Sequence, residues 1–176
     1  MALALVVMQV LSVLAIVTAT IAGVASAHPF LPVEVHARTH VTLGLTCAIL
    51  ILFSHSMTMF YFIGTGIRMK ELVSEHRVEE DLVTPTRLIK AHVFPMMTMA
   101  ILLTMVTFIL GGGVDTGKIP GAIHLVLALG SMVLNYLAAA KAIAAIFANV
   151  RLFDRLDQIV VAQLESRAAT QGAGPG

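Results

Sequence analysis

Of the 176 residues, 58% are hydrophobic and only 12% are charged. A typical soluble domain is about 25% charged, so this composition excludes one and describes an integral membrane protein. The net charge of +1 gives no handle for a nucleic-acid partner, and the one cysteine, Cys47, excludes an intrachain disulfide.

Four stretches match the roughly 20 apolar residues that cross a bilayer core of about 30 Å. They run from Ala2 to Ala25, Val41 to Ile67, Ala91 to Leu110 and Ile119 to Ile146. The first ends in Ala25-Ser26-Ala27, the small-x-small form of a signal-peptide cleavage site, although no Lys or Arg lies near Met1. Segment 1–27 is therefore read as a first transmembrane helix or a signal peptide, and 28–40 as an outer loop holding His28, His36 and His40.

Segment 41–83 is a second transmembrane helix that continues past the membrane as the charged, helix-favouring run "RMKELVSEHRVEED". Segment 84–112 is the third helix, with Pro95 expected in its first turn, and 113–118 is a glycine-rich outer turn. Segment 119–168 is the fourth helix, opened by Pro120 and prolonged by the amphipathic stretch "VRLFDRLDQIVVAQL". The last segment, 169–176, has the composition of a disordered tail. The expected fold is an all-α integral membrane protein, a four-transmembrane-helix antiparallel bundle with cytoplasmic extensions of helices two and four.

Charge position sets the orientation. Arg68, Lys70, Arg77, Arg87 and Lys90 fall in the second connection and Arg151, Arg155 and Arg167 after helix four, against only Arg38 and Lys118 in the other two connections. The positive-inside rule makes the second connection and the C-terminus cytoplasmic in a multi-pass protein of the cell inner membrane.

Depth then decides which histidines can cooperate. A b-type haem held by two imidazoles needs them on different helices at similar depth. His40, at the outer end of helix two, and His124, one turn into helix four, meet that condition. His55 and His92 do not, because about 12 residues, or roughly 18 Å, separate His55 from the inner end of its helix. His55 lies mid-membrane, where a polar side chain faces the bundle interior and finds a partner; Ser54, Ser56, Thr104 and Asn135 are the candidates.

Metal binding is the competing reading. His36 and His40, four apart, with Glu34 and His28 nearby, carry imidazole and carboxylate donors suited to zinc or copper. Along helices two and three, His55 with Met59, and His92 with Met96 and Met99, recur at helical spacing. Thioether and imidazole are soft donors for Cu(I), although methionine at such spacing is also ordinary packing.

The spans contain no Asp or Glu and the chain has no nucleophile–base pair or nucleotide-binding glycine motif, so no enzyme activity is expected. Three functions stay open. The first is an accessory or anchor subunit of a larger redox or metal-handling complex, with haem b at His40 and His124 and with other membrane subunits or further copies of itself as partners. The second is a Cu(I)-binding or copper-transferring protein using the Met and His stripe, and the third is a structural bundle with no cofactor.

Overall fold

The structure, a computed structural model, describes residues 1–27 and 36–172. His28 and Glu34, and the readings placed on them, lie outside the described residues. Four helices make up the fold: α1 (Ala2–Ala27), α2 (Ala37–His76), α3 (Val83–Asp115) and α4 (Gly121–Gly172), with no strand among the described residues. All four are long and apolar enough to cross a membrane. At 1.5 Å per residue α1 measures about 39 Å, close to one bilayer, whereas α2 and α4 measure about 60 and 78 Å and outrun it.

Local chemistry explains where the helices break. α2 ends on Arg77, which takes the left-handed conformation (φ 52°, ψ 47°), its N–H donating to the Ser74 carbonyl. The next N–H, of Val78, reaches back to the Val73 carbonyl at 3.0 Å. These are the two bonds of a Schellman motif, with arginine where glycine is usual. α3 ends in the same motif, here with Gly117 at φ 68°: Gly117 N–H donates to Val114 and Lys118 N–H to Gly113. Between them Asp81 starts α3, its Oδ1 accepting from the backbone N–H groups of Thr84 at 3.0 Å and Val83 at 3.1 Å.

Because α3 starts at Val83, Pro95 lies well inside the helix and not in its first turn. The ring removes one backbone donor there, so the Ala91 carbonyl is without its usual partner four residues on.

Each helix packs on its chain neighbours, α1 closes on α4, and α2 and α4 touch only lightly. Burial is inverted relative to a soluble protein. Phe53, Phe60, Ile109 and Val126 are more than half exposed, while Gln9, Ser54, His55, Thr58, Asn135 and Asn149 are buried to 2% exposure or less. Apolar residues outside and polar residues inside are what a hydrocarbon solvent selects.

Three apolar clusters lie along the molecule. One, around Ile16, Cys47 and Ile51, sits near the end where α1 stops and α2 starts. The largest gathers Leu5, Tyr61, Phe62, Met97, Ala142 and Ile146. The third joins Met69 of α2, Val78 and Leu82 of the connection, and Leu156 of α4. The amphipathic run after the fourth span therefore buries much of its apolar face within the molecule.

Candidate cofactor pocket

The end of the bundle near the α1–α2 connection opens into a cavity of about 720 Å³ lined by all four helices. Small residues create it: Ala19 and Gly23 on α1, Gly44 on α2, Gly111 on α3 and Ala128 on α4. Its volume falls in the usual range of small-molecule sites, about 300–1,000 Å³, and its walls are mainly apolar.

Two imidazoles reach into this space. His40, one turn into α2, and His124, one turn into α4, have ring centres 6.1 Å apart and planes inclined at 74°. His40 Nδ1 lies 3.2 Å from the Ala19 carbonyl oxygen, which only accepts, so the ring proton is on Nδ1 and Nε2 is left with a free lone pair. His124 Nδ1 is buried with no hydrogen-bond partner.

The glycines beside the rings are positional. A Cβ on Gly23 would lie 2.7 Å from His40 Cε1, and one on Gly111 would lie 3.0 Å from His124 Cε1. Each helix is bare where the opposing imidazole lies across it.

Below the cavity its lining passes into a polar network. Thr104 and Ser131 face the cavity, with their hydroxyl oxygens 3.0 Å apart. Asn135 donates through Nδ2 to Thr104 Oγ1 and to the Ser131 carbonyl, both at 2.8 Å, and its Oδ1 lies 3.1 Å from His55 Nε2. His55 thus points inward and meets Asn135, one of the four partners read from the sequence.

The remaining sequence-predicted residues are not gathered here. His36 and His92 are exposed, and His92 Nδ1 donates to the Leu88 carbonyl of its own helix. On α3 the inward phase runs Val93, Met97, Ala100, Thr104, Thr107, so His92, Met96 and Met99 sit one residue out of phase with it. Met99 is 56% exposed, whereas Met59 and Met96 pack at the edge of the largest apolar cluster. Gly66 of α2 faces Lys90 and Thr86 of α3. Among the described residues no group of three or more His, Cys, Asp or Glu side chains converges.

Several residues of the site carried little signal in the sequence. Gly23 and Gly111 look like ordinary membrane glycines until the rings opposite them are placed. Gln9, the one amide within the first apolar stretch, was legible as an inward-facing group by the same argument that applies to His55.

The architecture is thus that of a four-helix bundle suited to a membrane, with a pocket bearing two histidines at one end. No family model, curated protein or solved structure matches the chain.

Proposed function

We propose that this protein is a small membrane anchor subunit of a redox complex that carries a b-type haem between His40 and His124. One observation carries the reading: two imidazoles from different helices, 6.1 Å apart, in an apolar cavity bounded by glycine and alanine. His40 and His124 would hold the haem iron through ring nitrogens, the usual imidazole donors to a metal. A haem would ask only these two side chains of the protein, so no third ligand is needed.

The residues fit that role in their chemistry as well. The Ala19 carbonyl holds the His40 ring by Nδ1, a second-shell contact of the kind that fixes the tautomer of a metal-bound histidine. When bound, the haem supplies one-electron redox chemistry; the chain supplies the ligands, their orientation and an apolar enclosure.

We read the bundle as antiparallel. Ala19, late in α1, meets His40, early in α2, while Gln9 meets Thr58 further on, which supports this. By the positive-inside count the haem end faces outward, and the extensions of α2 and α4 and the C-terminus lie in the cytoplasm of a cell with this protein in its inner membrane. The outer part of the α4 extension, where Val161 and Leu164 are exposed, is the docking element for other subunits or a second copy. No catalysis is assigned to this chain.

The test is a visible spectrum of protein purified in mild detergent from haem-replete cells, oxidised and then reduced with dithionite. A Soret band with a sharpened α band on reduction, and iron in proportion to protein, is expected. His40→Ala and His124→Ala should each lose it. Colourless, iron-free wild-type protein overturns the proposal.

A further inference from the structure

The network below the pocket fixes where each of its hydrogens lies. The Ser131 carbonyl can only accept, so the Asn135 group 2.8 Å from it is the NH₂, and Oδ1 faces His55. His55 Nε2 must then carry the ring hydrogen and donate it to Asn135 Oδ1. Its Nδ1 is left as a lone pair, buried and unpartnered in a side chain that is 0% exposed.

The same accounting holds on the α1 side. Thr58 donates its hydroxyl hydrogen to the Ser54 carbonyl at 2.9 Å, so Gln9 must present its NH₂ to Thr58 Oγ1, also at 2.9 Å. Gln9 Oε1 is left as an acceptor without a donor, and Ser54 Oγ is unpartnered too. Gln9 and Ser54 are each 0% exposed, and Gln9 meets α2 at Thr58, one turn on from Ser54 and bonded back to its carbonyl. Adjacent turns of the interior therefore present two pure acceptors and one hydroxyl, all without partners.

We infer that Gln9 Oε1, Ser54 Oγ and His55 Nδ1 form an internal binding site for one water molecule in the middle of the bundle. Water donates twice, to Nδ1 and Oε1, and accepts once from the serine hydroxyl, which matches the roughly three bonds that a buried water makes. A proton on Nδ1 answers the need less well: it creates a charge where the spans hold no Asp or Glu to pair with it. The bound water joins the Gln9–Thr58 pair of α1 and α2 directly to the His55–Asn135 network, adding a second link between hydrogen bonds that already reach all four helices. This site stands whether or not a haem binds above it.

The experiment is solid-state NMR of the full chain, ¹⁵N-labelled at histidine, in lipid bilayers at pH 7, with His55 assigned by its loss in His55→Gln. Expected is a neutral ring protonated at Nε2, with Nδ1 shifted from the position of a free lone pair and receiving polarisation from water protons. Gln9→Leu should at least halve that transfer while the Nε2–H tautomer persists. A doubly protonated ring overturns the water site, as does an Nδ1 signal at the free position without transfer from water. Both readouts come from the wild-type protein, so the outcome does not depend on Gln9→Leu folding.

Discussion

At the scale of single residues, His55 and Asn135 depend on one another more than the length of their bond suggests. A hydrogen bond between membrane helices contributes about 0.6 kcal/mol on average. A buried donor stripped of its partner costs more, about 1–3 kcal/mol. Asn135→Leu should therefore destabilise the bundle by the larger amount, since it leaves His55 Nε2–H facing hydrocarbon. His55→Gln keeps a donor and should be tolerated, and the double change to leucine should cost less than the sum of the single ones. Unfolding in detergent titrated with SDS measures all three. At the pocket, Gly23→Ala forces the His40 ring to move, its Cε1 being 2.7 Å from the new methyl group, and Gly111→Ala presses on His124 at 3.0 Å. If haem binds there, both should shift the Soret band or lower haem content at unchanged expression, Gly23→Ala more strongly.

At the scale of elements, the ends of helices and their extensions carry the argument. Arg77 holds a left-handed conformation, which costs a non-glycine residue about 1–2 kcal/mol. Arg77→Gly should raise thermal stability by about 1 kcal/mol, read as a higher Tm in detergent. At the start of α3, the backbone N–H of Thr84, assisted by that of Val83 and by nearby Arg87, holds the Asp81 carboxyl below its ordinary pKa. The sign follows from linkage: the cap is fully effective above the unfolded carboxyl value, about 3.9, and is lost as pH falls through the lower folded value. Wild type should lose stability below about pH 4 relative to Asp81→Asn, whose cap does not titrate. The extension of α4 is tied to the connection by Arg155, whose Nε and Nη2 donate to Glu80 Oε2 at 3.2 and 3.0 Å. That pair is about half exposed and contributes about 0.2–1 kcal/mol. Leu156, 1% exposed in the cluster with Met69, is the stronger tie. Leu156→Ala should cost about 2–5 kcal/mol, well beyond Glu80→Gln, in the same unfolding assay.

At the scale of the whole molecule, the reading of orientation and of a docking face can be checked together. Beyond Leu156 the apolar face of α4 emerges, with Val161 53% and Leu164 56% exposed. In a Cys47→Ser background, Thr116→Cys should react with an impermeant maleimide in intact cells and Ala168→Cys only after the membrane is broken. The reverse pattern would invert the proposed orientation.

Much of this architecture was legible without coordinates, because hydrocarbon solvent imposes a strong rule on sequence. Four long apolar runs and the prolonged second and fourth helices are composition and period, and each apolar run emerges within a helix. The inward direction of His55 was legible for the same reason: a buried polar group in a bilayer must find a partner, and Asn135 was among the few available. Depth alone put His40 and His124 level with one another. Rotation of α3 about its axis was not legible. In a helix apolar on every side, periodicity does not mark the inner face, so the His92, Met96 and Met99 face was as plausible as the Val93, Met97 and Ala100 face that packing selects. The glycines that open the pocket, and the orphaned Nδ1, Oγ and Oε1 atoms at its base, acquire meaning only once four helices set their phases against one another. A local sequence determines that a segment is a membrane helix; which of its faces touches which neighbour is a property of the packed bundle.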